Sequence, residues 1–112
     1  MSEQLTPASL IATLAGIGRD LDDKADEVAR LDEDHVRLRA AYKSAFARAF
    51  LTSVGSNDVR RYTAEQATED LALEAELAEQ VLRAARESLR VLNSRLEIGR
   101  SLSALMRMEW GS

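Results

Sequence analysis

The single imidazole of the chain, His35, follows Asp32, Glu33 and Asp34, residue types from which a metal site or an acid–base pair can be built. Zinc binding or general-base work would need a partner imidazole or a defined pocket, and the same residue of another subunit is the only nearby source. His35 also falls on an apolar helical seam, where a polar residue sets packing register and lends pH sensitivity to assembly. The acidic stretch "RDLDDKADE" (residues 19–27) lacks the glycine turn and terminal bidentate Glu of a calcium loop, and it continues a helical period. It reads as a solvated face. Carboxylates four apart, such as Asp22 with Asp26 or Glu65 with Glu69, arise on any charged helix and imply no glycosidase chemistry. Neither a Gly-rich phosphate cradle nor a GxSxG elbow occurs. The sequence therefore predicts no catalytic residue, no cofactor, no metal and no enzyme.

Three other groups of residues could bind. Arg60, Arg61 and Tyr62 could contact phosphates and stack a base, although Asp58, Glu65, Glu69 and Asp70 surround them and suit an ordinary helix start. Arg83, Arg86, Arg90, Arg95, Arg100 and Arg107 form a longer series that can equally pair with the acidic residues of 20–34. Near the C-terminus, Met106, Met108 and Trp110 combine the adaptable, large-area side chains used at partner surfaces. Closing the end of an oligomer core is the competing role for Trp110.

These residues must be positioned by helices. Of 112 residues, 46% are hydrophobic but only 4% aromatic, so apolar surface comes mainly from Ala, Leu and Val, with five Gly and one Pro. Absence of Cys excludes disulfides and thiolate zinc sites and fits a reducing cytoplasm. No apolar run approaches the ~20 residues of a bilayer span, and the N-terminus lacks a basic leader, so membrane association is not expected. A net charge of −4 does not favour nucleic acid overall.

Thr6-Pro7 predicts a helix start, since Thr can cap orphan amides and Pro at the first position forfeits an amide without a partner. Leu10, Leu14, Ile17, Leu21, Val28, Leu31, Leu38, Tyr42, Ala45 and Ala49 then follow steps of four and three, with Lys24 and His35 in the skipped places. Gly55 offers a left-handed cap, and Ser56, Asn57 or Asp58 can open a second helix. On that helix Ala75, Ala78, Leu82, Ala85, Leu89, Leu92, Leu96, Gly99, Ser103 and Met106 keep the same period. The expected architecture is all-α, a single domain over 1–112: helix one about 7–53, a turn at 54–57, and helix two about 58–110, as a long antiparallel coiled-coil hairpin. Charge agrees with it. The charged residues of 1–34 are mostly acidic and those of 81–112 mostly basic, while basic 35–52 would face acidic 58–80. Such pairs select register more than they stabilise.

Helix two carries more apolar surface than one seam uses. Val81, Ala84, Val91, Ile98, Leu102 and Leu105, with Leu71, Leu73 and Leu77 upstream, form a second set. A broad apolar arc needs more than one neighbour, which predicts a homo-oligomer, a dimer first, with hairpins joined in a four-helix or larger bundle. The interface residues expected are Leu71, Leu77, Val81, Val91, Ile98, Leu102 and Leu105.

"AAYKSAFARAFL", the following Gly-Ser turn and "SRLEIGRSLSALMRMEW" resemble a family of small helical proteins encoded by phages and prophages of Gram-positive bacteria. The resemblance covers about residues 36–110. It implies a two-helix protein, often encoded near replication or recombination genes, without an assigned activity, and carries over no catalytic residue. Sequence thus points to a non-enzymatic phage or prophage accessory protein that self-associates and binds a protein partner, in DNA replication or recombination. Nucleic-acid binding through an Arg-rich oligomer face is the alternative.

Overall fold

The computed structural model describes residues 6–110, the side chain of Trp110 lying outside the described residues. They form three helices, α1 (Pro7–Thr52), α2 (Asn57–Ala67) and α3 (Glu69–Trp110), and no strand occurs among the described residues.

The start of α1 is a reciprocal cap. The Ser9 amide donates to Thr6 Oγ1 at 3.1 Å while the Thr6 amide donates to Ser9 Oγ at 2.9 Å, and Pro7 takes the first helical position. At the other end α1 stops at Thr52, where hydroxyls bond back to carbonyls near the helix end. Thr52 Oγ1 donates to the Arg48 carbonyl at 2.8 Å and Ser53 Oγ to that of Phe50 at 2.9 Å. Gly55 follows three residues later with φ of 128°, so it shapes the turn instead of capping the helix. Of the three candidate caps for the next helix, Ser56 serves: its side chain accepts the Val59 amide at 3.3 Å.

The helix expected over 58–110 is interrupted at Thr68, which has φ −116° and ψ 13° and separates α2 from α3. Thr68 is 2% exposed, so its hydroxyl must find a partner inside the protein. It donates to the Ala64 carbonyl at 2.7 Å, the same oxygen that accepts the Thr68 amide at 3.1 Å. Thr13 and Thr63 make the same hydroxyl-to-carbonyl bond within unbroken helix, so the bond satisfies the buried hydroxyl without itself explaining the break. Neither Pro nor Gly marks this break.

The chain divides into two compact units, one of residues 1–27 with 85–112 and the other of 28–84, and α1 and α3 contribute to both. In the first unit, Leu14 of α1 lies over Gly99 of α3, and Asp20, Asp23, Lys24 and Glu27 share a groove with Leu92. Rising numbers on α1 meet falling numbers on α3, so the two stretches run antiparallel. Leu10 and Ala85 are buried here. In the second unit, His35 shares a groove with Glu79, and Tyr42 shares one with Thr68 and Glu69. That arrangement is antiparallel too. Ala64, Ala75 and Leu82 are buried in it, and the Tyr42 and Phe46 rings meet edge-on at 6.1 Å.

Each four-three seam position from Leu10 to Ala49 on α1, and from Ala75 to Met106 on α3, is buried or half-buried. The buried apolar side chains are nonetheless mostly small: Ala64, Ala75 and Ala85 beside Leu10 and Leu82. A core this thin leaves larger apolar side chains outside it.

Candidate functional site

Those outlying side chains concentrate on α3. In the second unit Leu73, Leu77 and Val81 are exposed, and in the first Val91, Ile98, Leu102 and Leu105 are, with Ile98 reaching 63% exposure. Six of the seven residues expected at an oligomer interface are therefore open to solvent, while Leu71 is half-buried. Helical phase explains the set. Ser88, Val91, Arg95, Ile98, Leu102 and Leu105 each precede a residue of the inner seam, namely Leu89, Leu92, Leu96, Gly99, Ser103 and Met106, by one position. One residue is about 100° of rotation, so α3 carries two parallel seams about 100° apart. Only one of them is covered. A helix in a four-helix bundle has two neighbours at about this angle.

Arg95 was not distinguished from the rest of the Arg series by sequence, yet it sits in the exposed seam between Val91 and Ile98. Its position one residue before Leu96 was the available signal. It lines a groove of about 340 Å³ with Lys24, Glu87, Ser88, Val91 and Leu92. Lys24 is paired with Glu27 at 2.7 Å, and Glu87 with Arg90, whose Nε lies 3.0 Å from Oε2. The Arg90 guanidinium, by hydrogen bonding and then by charge, holds the Glu87 carboxyl below its ordinary range. Other pairs are also local: Arg37–Glu33, Arg61–Asp58 and Arg83–Glu79 join residues three or four apart. The two Arg of the series that make these bonds, Arg83 and Arg90, are thereby committed along their own helix.

His35 is half-buried on the inner seam, beside a shallow groove of about 250 Å³ lined by Arg39, Tyr42 and Lys43 of α1 and by Ala72, Ala75, Glu76 and Glu79 of α3. Cationic side chains on one wall and carboxylates on the other make this a charged crevice. Among the described residues no group of three or more His, Asp or Glu is placed to hold a metal ion.

At the turn, Arg60, Arg61 and Tyr62 point to different environments. Arg60 is half-buried with its Nε out of contact with solvent and without a hydrogen-bond partner, Arg61 pairs with Asp58 at 3.0 Å, and the exposed Tyr62 hydroxyl accepts from Gln66 at 3.3 Å. They do not make one cationic face. The C-terminal group is likewise divided: Met106 belongs to the inner seam, Met108 is 79% exposed, and the side chain of Trp110 lies outside the described residues. Among the described residues no helix is long and apolar enough to cross a membrane.

Comparison with protein-family models, with curated proteins and with solved structures finds no match to this chain.

Proposed function

We propose that the protein is a non-enzymatic helical interaction module that self-associates and, once assembled, captures a protein partner. The exposed second seam of α3 carries this reading. Leaving Val91, Ile98, Leu102 and Leu105 in water forfeits on the order of 1.5–3 kcal/mol for each large aliphatic side chain that a neighbour would otherwise cover. The long antiparallel hairpin and its pairing into a four-helix bundle belong to the same reading. So does a phage or prophage accessory role in DNA replication or recombination, which rests on the resemblance of residues 36–110 and places the protein in the bacterial cytoplasm. Met108 and Trp110 are the residues offered to the partner.

The test uses the whole chain as bait in its native host, unmodified and with Ile98→Glu and Leu102→Glu combined. Loss of a specifically retained protein along with loss of self-association supports assembly-dependent capture. Equal capture by the variant, as a monomer, contradicts it.

A further inference from the structure

We infer that the exposed face of α3 around Val91 docks against the same face of a second copy in antiparallel orientation, with Val91 at the two-fold axis and Arg95 of each copy meeting Glu87 of the other. This rests on the self-association proposed above and adds the occupant and its direction.

Arg95 interrupts an apolar seam, is exposed, and makes no ion pair among the described residues. A partner that covers Val91 and Ile98 also covers the base of Arg95, so it must supply an anionic group there or bear the cost of an unpaired charge. Residue arithmetic on the helix supplies one. Glu87 lies four positions before Val91 and Arg95 four positions after it. In two antiparallel copies centred on Val91, each Arg95 stands at the level of the other copy's Glu87. The two-fold operator makes this contact twice. Glu87 already accepts Arg90, but a carboxylate has about four acceptor sites and can serve two guanidinium groups.

Parallel docking has the opposite electrostatics. In register it sets Arg95 beside Arg95 and Glu87 beside Glu87, and like charges at helix contacts are destabilising. Side-chain size agrees with the antiparallel choice. Three positions either side of Val91 stand Ser88 and Ser94, both small, so the helices can approach closely next to the axis.

A chain without Cys makes the test direct. Val91→Cys and Leu102→Cys are each prepared, weighed by light scattering while reduced, and then oxidised mildly. Antiparallel docking predicts dimer mass for both, a disulfide-linked dimer from Val91→Cys, and none from Leu102→Cys, whose two copies would stand roughly 30 Å apart along the axis. Cross-linking of both variants means parallel docking and overturns the orientation. Dimer mass without any cross-link puts the contact elsewhere and also overturns it. Monomer mass for the unmodified chain removes self-association itself, and this inference with it. A charge exchange provides the second readout: Arg95→Glu weakens the dimer by about tenfold or more, and adding Glu87→Arg restores it. Failure of the double variant to recover counts against the Arg95–Glu87 contact.

Discussion

Leu14 of α1 lies over Gly99 of α3 so closely that a methyl group built at Gly99 overlaps Leu14 Cδ2. Gly99 is buried at that point, and a glycine inside a helix costs about 1 kcal/mol relative to Ala, so the close approach of the two helices is what offsets the cost. Gly99→Val is expected to destabilise the chain by roughly 1–3 kcal/mol through overpacking. Adding Leu14→Ala should recover part of that loss. Chemical denaturation of the two single variants and the double variant measures the coupling, and strict additivity would show that the two side chains do not meet.

Gly55 imposes a separate requirement at the turn. Its φ of 128° is disfavoured for residues with a Cβ, and an added Cβ would come within 3.0 Å of Val59 Cγ1. Gly55→Ala should therefore lower stability by about 1–3 kcal/mol, although the same substitution ordinarily stabilises by restricting the unfolded chain. A raised denaturation midpoint would show that the turn can take another shape.

Ala64 has no exposed surface, whereas Ala67, one turn along the same helix, is exposed. Ala64→Leu is expected to cost roughly 1–3 kcal/mol, and Ala67→Leu to stay within about 0.5 kcal/mol of the parent. Thermal denaturation followed by circular dichroism distinguishes them. Equal effects would mean that α2 does not pack by its Ala64 face.

The Glu87–Arg90 pair gives a titration prediction. Because the folded-state pKa of Glu87 is lowered, the stabilisation it contributes is present above the unfolded pKa and is lost as pH falls through the folded value. Arg90→Gln should return the Glu87 carboxyl toward its ordinary range. Side-chain carboxyl NMR shifts read this directly, and an unchanged titration would reject Arg90 as the cause.

Much of the fold was legible because coiled-coil spacing is written in side-chain size and polarity. The inner seam from Leu10 to Ala49 and from Ala75 to Met106 is covered as the four-three steps required, and Thr6-Pro7 and Ser56 cap where caps were expected. Thr68 was not legible. A threonine is ordinary in a helix, and Thr13 and Thr63 make the same hydroxyl-to-carbonyl bond without a break, so nothing in the residue type singles out Thr68. Sequence marks Gly55 as a turn residue but cannot tell a helix-closing residue from one that bends the loop three residues later. Arg60, Arg61 and Tyr62 look alike as neighbours in sequence, yet helical rotation sends the first inward and leaves the other two outside. The second seam is visible as surplus apolar surface, and the place of Arg95 within it follows from its position one residue before Leu96.

A second copy is predicted to cover the exposed α3 seam, and the solution mass by light scattering measures this most directly. The unmodified chain is predicted to weigh twice its 12.4 kDa, and the chain bearing Ile98→Glu and Leu102→Glu to weigh 12.4 kDa while keeping its helical circular dichroism. A monomeric mass for the unmodified chain, or a dimer indifferent to both substitutions, would contradict it.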